Sequence, residues 1–125
     1  MNTRERPVNL DLTKFSFPLP ALASITHRVT GVVLFVGIAF GLWALDLSLR
    51  SPEGFAEAVR LAGSPLGGFV AWGLLTALAY HFVAGVKHLF MDWGVGETLE
   101  GARLGSQITI AATLVLSVLA GVWVW

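Results

Sequence analysis

His81 stands near the middle of an uncharged run, Leu61 to Val86, with Tyr80 before it and the segment HFVAGVKHLFMD (His81 to Asp92) leading away from it. An ionisable ring inside so apolar a stretch is costly unless something uses it, and within a membrane such a residue is a functional candidate by default. Three uses suit an imidazole there: packing through a hydrogen bond, proton relay, and axial ligation of haem iron. His88 lies about 10 Å along the same helix face, so the two rings cannot both grip one iron. His27 is expected close to the membrane surface, at a poor depth to meet His81. A haem held by two histidines would then need its second ligand from another chain.

A second constellation is SITHR, Ser24 to Arg28. Ser24 and Arg28 are four apart, on one face of a helix, with His27 beside them. A hydroxyl donor and a fixed cation just inside the interface suit the polar head of a greasy molecule. A quinone needs that arrangement: a donor at its carbonyl oxygen and positive charge nearby as negative charge develops. The plainer reading has Arg28 reaching lipid phosphate and Ser24 bonding back to its own helix. Lys87 and His88 suit haem propionates, Asp92, an extrinsic partner or lipid headgroups.

The elements that must position these groups are helices in a bilayer. The chain is 55% hydrophobic and 13% charged, where a soluble domain carries about a quarter charged residues. Uncharged stretches at Val29 to Leu45, Leu61 to Val86 and Leu104 to Trp125 are each long enough, since a crossing takes about 20 helical residues. None alternates with a period of two, so no strand reading competes. The expected fold is an all-α integral membrane protein with three transmembrane helices, about 22–49, 65–92 and 103–125, running up, down, up. These form one anchor domain, 21–125, preceded by an arm, 1–20, with no cleavable leader pattern. Arg4, Arg6, Lys14 and Arg28 at the first helix, with Lys87 and Arg103 around the second loop, place the N-terminus and that loop in the cytoplasm. Trp43, Trp72, Trp93, Trp123 and Trp125 fall near the expected interfaces.

That topology brings the start of the first helix and the end of the second to the same side. Ser24, Thr26, His27, Arg28, Lys87, His88 and Asp92 should share one layer, with His81 deeper, about 16 Å from Asp92. Gly37 and Gly41 form a GxxxG spacing that permits close helix approach, and Gly31, Gly73 and Gly85 keep faces smooth. The third helix carries Ser106, Gln107, Thr109, Thr113 and Ser117 but, from Leu104 onward, no ionisable side chain, and is expected to be structural. The absence of cysteine excludes thiolate metal sites, Cys-ligated iron–sulfur clusters and disulfides within the chain. A net charge of zero carries no nucleic-acid footprint.

RPVNLDL (Arg6 to Leu12), SITHRVTG (Ser24 to Gly31), SPEGF (Ser51 to Phe55) and HFVAGVKHLFMDWG (His81 to Gly94) together resemble the cytochrome b large anchor subunit of bacterial succinate dehydrogenase. The likeness runs almost the whole length. It implies haem b with His81 as one axial ligand and the other ligand from a second, small three-helix anchor subunit. It implies a ubiquinone site lined by Ser24 and Arg28, with His27, Arg28 and His88 toward the haem propionates. The implied partners are that anchor subunit, an iron–sulfur subunit, a flavoprotein subunit and the lipid of the bacterial inner membrane. The succinate chemistry lies in the flavoprotein, not in this chain. Lys87 stands where the family often has Arg, and a Lys cannot make the planar two-pronged contact of a guanidinium. An anchor of a fumarate reductase running in reverse, and a haem-free quinone anchor, are the neighbouring alternatives.

Overall fold

In the computed structural model, Thr13 and residues 16–125 are described. Among the described residues four α-helices follow in order: α1 (Leu19–Arg50), α2 (Pro52–Ala62), α3 (Pro65–Asp92) and α4 (Leu99–Val124). Three of them, α1, α3 and α4, are long and apolar enough to cross a membrane. Among the described residues there is no strand. The all-α, three-span expectation therefore holds. The expected arm, except for Thr13 and residues 16–20, lies outside the described residues.

Helix boundaries follow local chemistry. The first helix starts at Leu19, earlier than expected, because Pro18 is extended at the N-cap and Pro20 sits within the first turn, where a missing N–H costs nothing. Ser64 and Thr98 cap α3 and α4, each accepting a backbone N–H at 3.0 Å, from Gly67 and Gly101. At the end of α3, Gly94 takes a φ of 83°. There Val95 N–H reaches Phe90 O at 2.9 Å and Gly94 N–H reaches Met91 O at 2.9 Å, the paired bonds of a left-handed helix stop.

The segment between Ser51 and Gly63 was expected as a loop and is instead helix α2. Ser51 Oγ accepts Gly54 N–H at 3.0 Å, and Pro52 occupies the first turn with Glu53. Glu57 and Arg60 add a two-pronged bond at 2.6 and 2.7 Å on its exposed side, which holds the Glu57 carboxyl below its ordinary value. Both side chains are exposed, so the pair contributes little. The helix doubles back against the end of α1, and its charged residues Glu53, Glu57 and Arg60 explain why no further uncharged run signalled it.

Helix α3 is the central element, packed on α1 along one side and α4 along the other. Toward α4 the joint is made of small and hydroxyl side chains: Ala102, Ser106, Thr109 and Thr113 are its buried residues. Ser106, Thr109 and Thr113 each return their proton to the carbonyl four residues back, at 2.8 Å. Spent on its own helix, each hydroxyl behaves as a small residue and lets the backbones close up. Farther along, Trp72 Nε1 donates to Ser117 O at 2.9 Å, and Thr76 and Ser117 hydroxyls meet at 2.8 Å. The expected structural role of the third span agrees with this packing.

Toward α3, only half of the GxxxG spacing is used. A Cβ on Gly37 would meet Leu74 Cδ2 at 2.6 Å, whereas one on Gly41 would meet nothing within 4 Å. Much of the outer surface of all three spans is large apolar side chain, including Val32, Phe35 and Ile38 on α1 and Leu114 and Val118 on α4. In water that surface would drive aggregation; in a bilayer it is the solvated state.

Candidate functional site

The start of α1 and the end of α3 bring three imidazoles into one column. The His27 ring stacks on His81, with centroids 4.1 Å apart and planes 12° from parallel. On its other side it meets His88 at 5.1 Å and 56°. His81 and His88 are two turns apart on α3, and the ring from α1 fills the step between them. This corrects the expectation that His27 lies too near the surface to reach His81. Because α1 begins at Leu19, His27 is already about 12 Å into the helix, and side-chain reach covers the remaining difference from His81. Stacked rings point their lone pairs side by side, so these two cannot share one iron as opposed ligands.

His81 is further held at Nδ1. That atom lies 3.0 Å from His27 O and 3.3 Å from Thr30 Oγ1. The α1 surface beneath the ring is Gly31, where a Cβ would come within 3.1 Å of His81 Cε1. A Cβ on Gly85 would sit 3.6 Å from His27 Nε2, an ordinary contact. Smoothness is thus needed at Gly31 and merely used at Gly85. Next to His81, Tyr80 O–H donates at 2.7 Å to Ala23 O, one turn before His27, and ties α3 to the first turns of α1. Tyr80→Phe should cost about 1 kcal/mol, the scale of one interhelical hydrogen bond. A fall of a few degrees in the unfolding temperature of the purified assembly checks it.

The expected layer of seven polar groups divides. Thr26 returns its hydroxyl to Leu22 O at 2.8 Å. Lys87 turns away from the histidines toward α4, where its Nζ approaches Ser106 Oγ at 3.4 Å and its stem lies over Gly105. There it borders a cleft of about 480 Å³ between α3 and α4, walled by Val83, Phe90, Leu104 and Ile108. The cleft is on the far side of α3 from His81, since residues six apart on a helix point widely different ways. Asp92 is exposed at the end of α3 and forms no ion pair among the described residues.

Ser24 and Arg28 remain together on α1, Ser24 half-buried and Arg28 exposed. Neither makes a side-chain hydrogen bond or ion pair among the described residues, unlike the neighbouring Thr26 and Thr30. The expected back-bond from Ser24 to its own helix is therefore not formed. A hydroxyl and a guanidinium on successive turns of one face, both uncommitted, suit a polar acceptor arriving from outside the chain.

Thr30 and Tyr80 were given no role from the sequence, although Thr30 lies one turn beyond His27 on the same face and Tyr80 adjoins His81. Among the described residues no three histidine or carboxylate side chains converge as a metal cage. Haem does not need one: it carries four nitrogen donors of its own and takes one or two axial ligands from protein. A single oriented imidazole with a free Nε2, bordered by glycine, fits that requirement.

Residues 2–120 match the family model for the succinate dehydrogenase/fumarate reductase transmembrane subunit. The chain is 38% identical to the succinate dehydrogenase cytochrome b556 subunit of Coxiella burnetii, over 100% of both chains. It is 40% identical to the cytochrome b556 subunit of Paracoccus denitrificans, over 95% of this chain and 92% of that one. A more distant relative, the human mitochondrial cytochrome b560 subunit, is 31% identical over 90% of this chain and 68% of its own. A full-length match of this kind, on a chain built of three apolar spans, makes this protein a member of the succinate dehydrogenase/fumarate reductase transmembrane subunit family.

Proposed function

We propose that this chain is the haem b-binding large anchor of a succinate dehydrogenase and forms part of its ubiquinone-reduction site. His81 would hold the haem iron from this chain, and a second small anchor subunit would supply the other protein ligand. The observation that carries the reading is the orientation of His81, whose Nδ1 is engaged by α1 at 3.0 Å while Nε2 is left for a ligand. The haem, when bound, provides a one-electron carrier within the membrane. The chain's part is to orient the axial ring, keep water out with its apolar helix faces, and present polar groups where the membrane meets the soluble subunits.

His27 and His88 are the two rings of the column beyond His81, Arg28 follows His27 in sequence, and we assign these three to the haem propionates. Charge-assisted bonds from a guanidinium suit a carboxylate, whereas Lys87, turned toward Ser106, is not assigned there. Ser24 donates to a quinone carbonyl oxygen, and Arg28 beside it stabilises the negative charge that builds up on reduction. Electrons come from succinate through a flavoprotein and an iron–sulfur subunit, which docks on the side where α1 begins. That side is the cytoplasmic one, by the Lys and Arg distribution. The N-terminal arm would contribute to the same docking surface.

Ser24→Ala and Arg28→Ala test the quinone assignment in membranes containing the assembled complex. Each should reduce succinate:quinone reductase activity by about tenfold or more, the scale of about 1.4 kcal/mol or more of lost transition-state stabilisation. Succinate oxidation with a water-soluble acceptor should stay unchanged. Wild-type quinone kinetics in both variants would remove Ser24 and Arg28 from the site. The ubiquinone-type resemblance favours succinate oxidation over the fumarate-reducing direction.

A further inference from the structure

We propose that Thr30 is a positioning residue for His81, holding with the His27 carbonyl a two-acceptor clamp that fixes the ring's tautomer and strengthens it as an electron donor. The proposal rests on His81 being the axial ligand, and it adds the device that prepares it. His81 Nδ1 faces two oxygens, His27 O at 3.0 Å and Thr30 Oγ1 at 3.3 Å. A carbonyl oxygen only accepts. Were Nδ1 unprotonated, its lone pair would face that of the carbonyl at hydrogen-bond distance, which is repulsive. The proton therefore sits on Nδ1, and the lone pair on Nε2.

Thr30 is equipped to be the second acceptor. Its hydroxyl has one proton, and two carbonyls already lie within reach of it, Thr26 O and His27 O, each at 2.9 Å. Giving the proton to Thr26 O satisfies that bond and turns the oxygen's lone pairs outward toward Nδ1–H. The hydroxyl is thus aligned by its own helix before the ring arrives. Both acceptors come from one turn of α1, so ring orientation is set by a backbone carbonyl and by a hydroxyl that its own helix already aligns. Gly31, next in sequence, allows the approach that makes both bonds possible, because a Cβ there would lie 3.1 Å from Cε1.

Acceptors at Nδ1 draw its proton outward and leave more electron density on Nε2, the effect by which partners behind a metal-ligating histidine raise its basicity. A more basic axial imidazole favours the ferric over the ferrous state. Removing the Thr30 hydroxyl should therefore raise the haem midpoint potential. It should also loosen the ring, broadening the low-spin signal of the ferric haem.

The test is a redox titration of the purified complex, followed optically and by electron paramagnetic resonance, with haem-to-flavin ratio as the measure of assembly. Thr30→Val removes the oxygen at constant shape, Thr30→Ala removes it without adding a methyl group, and Thr30→Ser restores it. An upward shift of the midpoint in the Val and Ala variants, with Ser close to wild type, is the expected result. If Val disturbs assembly, the Ala–Ser pair carries the comparison. A midpoint and ferric signal equal to wild type in the assembled Ala variant overturns the role of Thr30. Absence of any haem signal in wild type overturns instead the reading of His81 on which it rests, so the two failures are distinct.

Discussion

Replacing His81 with leucine should abolish the sharp b-type band in the dithionite-reduced minus oxidised spectrum of the purified complex, while flavin content per complex should stay near wild type. Leucine has no lone pair for iron, and it removes the Nδ1 contact with His27 O and Thr30 Oγ1. It fills part of the ring's volume with apolar atoms, which a membrane helix pair tolerates, so α1 and α3 should still associate. His88→Leu should behave differently, because His88 meets the ring of His27 at 5.1 Å, stands two turns from His81, and is assigned to the propionates. It should retain the band with a changed midpoint. If His81→Leu keeps an unaltered band, the iron is held elsewhere. If wild type itself lacks the band, the chain is a quinone anchor in which the stacked histidines serve packing or proton transfer.

The large features of the fold were legible because bilayer constraints are one-dimensional. Length and hydrophobicity alone assign a spanning helix, and α1, α3 and α4 fall close to where the uncharged runs put them. The end of α3 at Asp92 was placed correctly, where Gly94 and Gly96 both take positive φ. Helix α2 was missed for a complementary reason: it lies between spans, so its signature is capping rather than hydropathy. Ser51–Pro52 and the Glu57–Arg60 spacing carry that signature, one satisfying an orphan N–H and the other pairing across a turn.

Within the site, residue types were legible and their mutual contacts were not. Counting 1.5 Å per residue sets depth only relative to a helix start, and the start of α1 was placed at residue 22 rather than Leu19. The error, about 4.5 Å at 1.5 Å per residue, is comparable with the 4.1 Å ring spacing between His27 and His81. That was enough to judge the two histidines out of reach. Lys87 illustrates a second limit. Sequence adjacency to His88 suggests a shared role, but neighbours on a helix are 100° apart, and the lysine faces α4. Which hydroxyls are spent on their own helix and which remain available also required coordinates. Thr26 and Ser24 look equivalent in SITHR, yet only Thr26 is committed among the described residues.

Gly31→Val should be the most disruptive single change on the α1 side of the site, greater than any polar substitution on that helix. Two opposing terms act at this position. Glycine in a helix interior is less favourable than alanine by about 1 kcal/mol, so on propensity alone a larger residue would stabilise α1. Packing acts the other way. A Cβ lies 3.1 Å from His81 Cε1, tighter than ordinary contact, and overfilling of a packed site costs about 1–3 kcal/mol. For Gly31→Ala the terms nearly cancel: a shift of a few tenths of an ångström relieves the contact, and haem should be retained with an altered midpoint. Valine adds two methyl groups whose χ1 is confined in a helix, so relief requires the ring to move. His81 cannot move away from α1 and keep both Nδ1 partners, since His27 O and Thr30 Oγ1 belong to the helix that pushes it. The expected outcome is a haem-to-flavin ratio near wild type for Ala and lowered severalfold for Val, with α1, α3 and α4 still inserted in the membrane. Equal haem content in the two variants would mean that the ring has a second resting place, and that close approach at Gly31 is not what orients it.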